Sequence, residues 1–211
     1  MTTTRIDYRR ENKELYHATT RPTALDVPEL CFLAVDGEGD PRDPRFATAV
    51  TALCTAAYAL KFALRAETGT DYGVLPLEGL WHHTDRYADL TGGDAGAFRD
   101  RSGWRWTLLI RQPLPFTDGQ LAAAREKAAA KAGEEPAAAL RTERFAEGRC
   151  VQLLHKGTFE TEPETVARLH RYLAEGELTP SGRHHELYLT DHTRTAPERQ
   201  RTLLRQPVLD T

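Results

Sequence analysis

Two short stretches of the 211-residue chain set a carboxylate among aromatic side chains: Pro76-Leu77-Glu78-Gly79-Leu80-Trp81-His82 and His184-His185-Glu186-Leu187-Tyr188-Leu189-Thr190-Asp191. A carboxylate can offset a positive charge or move a proton, and a ring offers a face for stacking. Each stretch therefore holds the parts of a polar contact inside an apolar wall. Period-two alternation along the second stretch puts His184, Glu186, Tyr188 and Thr190 on one face and His185, Leu187 and Leu189 on the other. The plainest expectation is that His185, Leu187 and Leu189 pack a core while the first set is solvated. Glu78 follows the apolar run Val74-Leu75-Pro76-Leu77, so it is expected either buried or beside the break at Gly79. Trp104 and Trp106 share a face with Leu108 and Ile110, where they suit a core or a pocket wall equally.

The same alternation turns neighbouring histidines in the pairs His82-His83 and His184-His185 to opposite faces, so neither pair can chelate one metal ion. The chain has no G-x-x-x-x-G-K loop, no G-x-S-x-G elbow and no H-E-x-x-H, and Gly37-Glu38-Gly39-Asp40-Pro41 lacks the third glycine of a dinucleotide fingerprint. Neither a metal nor a cofactor is expected.

The elements that position these residues read as two passes of one order. A strand at 30–35, a helix at 44–67 carrying Phe46, Val50, Leu53, Leu60 and Leu64 on one face, and strands at 71–81 and 104–111 form the first. A strand at 150–155, a helix at 163–175 with Val166, Leu169, Tyr172 and Leu173 inward, and strands at 184–190 and 201–208 form the second. Thr107-Leu108-Leu109-Ile110-Arg111-Gln112-Pro113 echoes Thr202-Leu203-Leu204-Arg205-Gln206-Pro207 with one residue deleted, which points to duplication. The expected fold class is α+β: two strand-helix-strand-strand repeats, about 30–112 and 149–208, related by a pseudo-twofold with a ligand groove between them. A polar N-terminal arm, 1–28, packs on this single domain, 29–208. The helical linker 113–148, whose main helix opens on a Thr117/Gln120 capping box, joins the repeats.

Composition narrows the partners. Lys and Arg total 28 against 31 Asp and Glu, a net charge of -3, too balanced to draw nucleic acid or an anionic membrane over the whole surface. Three widely spaced cysteines, Cys31, Cys54 and Cys150, fit no disulfide framework, so a reducing, cytoplasmic setting is expected. No apolar leader and no run of about 18 apolar residues is read from the chain. Neither a nucleic-acid nor a membrane partner is expected, and the chain is taken as a monomer or homodimer.

Four segments in order carry a family likeness. Leu15-Tyr16-His17-Ala18, Val35-Asp36-Gly37-Glu38-Gly39-Asp40-Pro41, Pro76-Leu77-Glu78-Gly79-Leu80-Trp81 and His185-Glu186-Leu187-Tyr188-Leu189-Thr190-Asp191 with Arg194 resemble the stand-alone GyrI-like small-molecule-binding proteins, from Leu15 to Val208. The chain departs where relatives often follow the tryptophan with a second aromatic; here His82-His83 stands. The resemblance implies paired strand-helix-strand-strand units and promiscuous binding of bulky, planar, often cationic aromatic compounds, with Glu78, Trp81, His82, Trp104, Trp106, Glu186 and Tyr188 as the ligand-binding set. Some members hydrolyse a strained cyclopropane in DNA-alkylating antibiotics, and Glu186 with Tyr188 would be the catalytic pair of that alternative. Inhibition of a DNA-handling enzyme by protein contact is the third reading that the family's name suggests.

Overall fold

The computed structural model describes residues 4–83 and 103–210. A short strand β1 (Thr4–Ile6) and two single-turn helices, α1 (Tyr8–Glu11) and α2 (Lys13–Tyr16), precede a long strand, β2 (Thr23–Glu38). Helix α3 (Pro44–Thr68) follows, then β3 (Thr70–Tyr72), β4 (Leu77–His83) and β5 (Trp104–Arg111). Helices α4 (Asp118–Ala132) and α5 (Glu134–Ala138) lead to a second long strand, β6 (Arg141–Lys156), then α6 (Glu162–Glu175), β7 (Leu178–Pro180), β8 (His184–Tyr188) and β9 (Arg201–Asp210).

Six strands close into a ring, β6-β2-β5-β4-β8-β9 and back to β6, with every neighbouring pair antiparallel. Its two halves are related by a pseudo-twofold that the registers display directly. Laying Phe32 on Cys150 and its partner Arg111 on Pro207 also lays Thr23 on Arg141 and Ala34 on Gln152, which exchanges the two ends of the β2–β6 ladder. The same operation lays Glu78 on His185, Gly79 on Glu186, Leu80 on Leu187 and Trp81 on Tyr188. Gly79 and Glu186 are register partners as well as equivalents, so the axis passes between them.

This register revises the Thr-Leu-Leu and Arg-Gln-Pro echo. Thr107 overlays Leu203, not Thr202, and Arg111 overlays Pro207, not Arg205, so the echo lies one position out of step before the deleted residue, which turns those side chains to the wrong face, and two positions out after it. The duplication is present in the ring; the sequence echo is not its trace.

Both faces of the ring are covered. On the outer face Leu33, Val35, Leu108 and Ile110 meet Leu53, Leu60 and a run of alanines from α3, with α4 packed on the far side of that helix. Asp43 caps α3 through a hydrogen bond from the Arg45 amide (2.8 Å), Pro44 occupies its first turn, and Gly69 ends it. The capping box of Thr117 and Gln120 opens α4 as expected. By length and composition α3 could cross a bilayer, with mean hydropathy 1.5, contrary to the expectation that no stretch qualifies. It is apolar on two sides because it lies between the ring and α4. Leu53 and Leu60 are fully buried, so truncating either to Ala is expected to cost about 2–5 kcal/mol in urea unfolding. A loss under 1 kcal/mol would show that the helix rests loosely on the ring.

In α6, Val166, Leu169 and Leu173 pack on Val151, Leu153 and Leu204, while Tyr172, expected inward, is exposed. The long strands also exceed the expected 30–35 and 150–155. Their outer halves, 23–30 and 141–149, pair along the β2–β6 ladder and, Val27 apart, are half-buried or exposed, so they lack an apolar run.

Candidate functional site

On the outer face, beside the axis, β8 presents Glu186 and Tyr188. The Tyr188 hydroxyl donates to Glu186 Oε2 (2.9 Å) and accepts from Trp81 Nε1 (3.1 Å). Gly79 makes this chain possible: a Cβ there would come within 2.7 Å of Trp81 Nε1 and 2.9 Å of the Tyr188 hydroxyl. Of the two positions related by the axis, one therefore carries a carboxylate and the other leaves space for the rings.

An aromatic wall extends from this point. Phe46, in the first turn of α3, stacks on Trp81 (5.9 Å between centroids) and meets Trp106 edge-on (5.1 Å). Trp104 meets Trp81 edge-on at 5.3 Å. Trp81 and Trp106 are register partners on β4 and β5, and the Trp106 ring lies over Gly37, where a Cβ would be 2.1 Å away. Phe46, on the same face of α3 as Leu53 and Leu60, extends the core into this wall through its place at the start of the helix.

The electrostatics of this cluster are set by burial. Glu186 is only 8% exposed, so the expected solvated face of β8 is in fact covered. His184 lies with Nε2 3.7 Å from Glu186 Oε1. Burial pulls the His184 imidazole down to about 3, helped by repulsion from His170 and His185, so it is neutral at physiological pH. Burial, with Glu186 and Glu162 nearby, pushes the Tyr188 phenol well above its usual value and keeps its proton in place.

Glu78 does not join this group. Alternation along β4 turns it to the inside of the ring, opposite Trp81, where it is 2% exposed. Its Oε2 is 3.0 Å from His185 Nε2, and His185 Nδ1 is 2.9 Å from Glu147 Oε1 across the ring. Glu147 Oε2 in turn is 2.9 Å from Arg205 Nη1, and Arg205 also donates to the Leu15 carbonyl (2.8 Å) and to Gln152 Oε1. The implied place of Glu78 in the ligand-binding set is corrected: it stands in this internal strut, which also anchors the N-terminal segment. The imidazole fills the space between Glu78 and Glu147, and among the described residues no group of three His, Cys, Asp or Glu is placed to hold a metal ion.

The structure thus brings Trp81, Trp104, Trp106, Glu186 and Tyr188 together, sends Glu78 through the sheet, and leaves the His82 side chain outside the described atoms. Sequence reasoning missed Phe159 and His192, which both meet Tyr188 edge-on, at 5.9 and 5.6 Å. It also missed Glu162, buried in the first turn of α6. Phe159 and His192 sit in loops, where no periodicity marks a residue as inward.

The full length of the chain has counterparts among solved structures. An uncharacterized conserved protein from Listeria innocua is 35% identical, with a TM-score of 0.84 over 97% of this chain and 100% of that one. A hydrolase encoded by lin2189 of Listeria innocua is 34% identical, with a TM-score of 0.82 over 98% of this chain and 100% of that one. The EcmrR C-terminal domain, at 10% identity and a TM-score of 0.55 over 90% of this chain and 98% of that one, shares the fold. No curated protein matches. A family model for the GyrI-like small molecule binding domain matches residues 20–209, a span that takes in the whole ring, both covering helices and the Glu186–Tyr188–Trp81 cluster at the axis, and the chain belongs to that family.

Proposed function

We propose that a groove along the aromatic wall of Trp81, Tyr188 and Phe46, beside Glu186, binds bulky, planar aromatic molecules, cationic ones above all. The observation that carries this reading is Glu186 set beside Trp81, Tyr188 and Phe46 at the pseudo-twofold axis, next to a histidine that stays neutral. Ring faces stack on a flat ligand, and a carboxylate attracts a cation strongly where water screens it poorly; each aromatic or cation-π contact contributes roughly 0.5–2 kcal/mol. Stacking tolerates varied substituents, so many compounds of this class would bind modestly.

A second reading is favoured by the contact between Glu186 and Tyr188, and by two Listeria innocua relatives, 34% and 33% identical, that carry the name hydrolase. The Glu186 carboxylate takes a proton from water as the water oxygen bonds to a cyclopropane carbon. The ring C–C bond breaks, and its electron pair moves through conjugation to a carbonyl oxygen, which takes the Tyr188 proton. Tyr188 then recovers a proton from Glu186, and the net change is the addition of one water. The high phenol pKa suits Tyr188 to donate only when a strong base forms beside it.

Incubation with planar cationic dyes and with carbonyl-conjugated cyclopropanes, followed by fluorescence and mass spectrometry, separates the readings. Saturable dye binding is expected, and a cyclopropane product heavier by one water would mark turnover. Absence of saturable binding by every dye overturns the groove assignment; a bound cyclopropane recovered at unchanged mass overturns hydrolysis.

A further inference from the structure

Beside the groove stands an aromatic pair that the packing of the ring does not require. Phe159, in the turn between β6 and α6, is 40% exposed, and its ring stacks on His192 with centroids 4.2 Å apart. Tyr188 touches both aromatic groups: its hydroxyl meets the Trp81 indole, and its ring meets the edges of the Phe159–His192 pair.

The two loops that present this pair are pinned by buried polar side chains. His155 Nε2 donates to the Thr158 carbonyl (2.9 Å) while its Nδ1 accepts from Thr165 Oγ1 (2.8 Å). Gln200 donates to the carbonyls of His192 (3.1 Å) and Thr195 (3.0 Å), and His192 Nε2 lies 3.2 Å from Thr202 Oγ1. His155 and Gln200 are both buried, so the exposed ring stands on a fixed base. A surface held in its binding shape before a ligand arrives avoids the entropic cost of ordering it afterwards. Burial also lowers the His192 pKa, so the imidazole is uncharged at neutral pH and does not repel a cationic ligand. The equivalent turn after β2, Gly39-Asp40-Pro41-Arg42, carries no aromatic side chain.

We propose that Phe159 and His192 form a second aromatic subsite, which takes the outer ring system of a ligand built from two planar aromatic units joined by a short linker. The inner unit of that ligand lies against the Trp81–Tyr188 wall beside Glu186, so the subsite rests on the groove reading above. A single-unit ligand gains nothing from it.

The test compares a cationic bis-benzimidazole dye with a single benzimidazolium of equal charge, titrated by fluorescence against wild type, Phe159→Ala and Phe159→Leu. Phe159→Ala is expected to weaken the two-unit dye about tenfold, the scale of one aromatic contact, and the single-unit dye less than about twofold. Phe159→Leu keeps apolar bulk in the turn and is expected to lose most of the same affinity at an unchanged melting temperature, which separates lost stacking from a collapsed loop. Equal losses for the two dyes, or an unweakened two-unit dye, overturn the subsite while leaving the groove intact. If wild type binds neither dye, the groove reading fails and the subsite falls with it.

Discussion

Glu147→Ala is expected to cost the fold about 3–5 kcal/mol, because it strands His185 and Arg205 as buried cations without their shared carboxylate. Urea unfolding measures it, and a loss under 1 kcal/mol would mean that the strut is incidental to stability. The pH profile of wild type carries an independent mark of the same strut. Burial alone would pull His185 down, but Glu147 and Glu78 outweigh it and push the imidazole up to about 9 from an ordinary 6.5. Its contribution is therefore complete below about 6.5 and is lost as pH rises through about 9. Burial would push Glu147 up, yet His185 and Arg205 together hold its carboxyl at about 2. That contribution is complete above the ordinary 4.5 and is lost as pH falls toward 2. These are two ends of one interaction, so stability should be highest between about 4.5 and 6.5 and decline on either side. Unchanged stability from 6.5 to 9 would place a neutral imidazole in the strut.

Glu186→Gln keeps the shape of the groove and removes its charge. A planar cationic dye should bind about 1–3 kcal/mol more weakly, the scale of a charged hydrogen bond, which is roughly 5- to 150-fold in Kd. A neutral dye of similar area should be nearly unaffected. Equal losses would mean that the residue shapes the wall without reading charge, and no loss with either dye would remove Glu186 from the site. Tyr188 loses its acceptor's charge in the same variant but can still donate to the amide oxygen, so the aromatic wall should stay in place.

Alternation was enough to place Glu186 with Tyr188 and to set His185 behind them, because a single strand of known period fixes relative faces. It did not say what each face meets. Glu78 lies three residues before Trp81 and so on the opposite face, yet its apolar approach suits a buried site on either side of the sheet. Only the position of His185 and Glu147 inside the ring decides that it belongs there. The polar composition of the N-terminal segment reads as a surface arm, although Leu15 and Tyr16 are buried. Its attachment to Arg205 and Gln152 runs through backbone carbonyls, which every residue type possesses and no pattern reveals. Trp81 and Trp106 are both core and wall: each is about 5% exposed or less, and the wall is the edge of the core nearest the axis.

The closed ring bears on how a ligand gets in. The halves are sewn together along two ladders, β2 with β6 and β4 with β8, so they cannot swing apart without breaking hydrogen bonds on both sides at once. An opening of that kind approaches global unfolding in free energy. Ligands of the proposed outer-face groove would therefore depend on rotations of rings such as Phe46 and Phe159, which are fast compared with domain movements. Under that proposal arrival is filtered by ligand thickness, and differences among ligands thin enough to pass show mainly in how long each one stays.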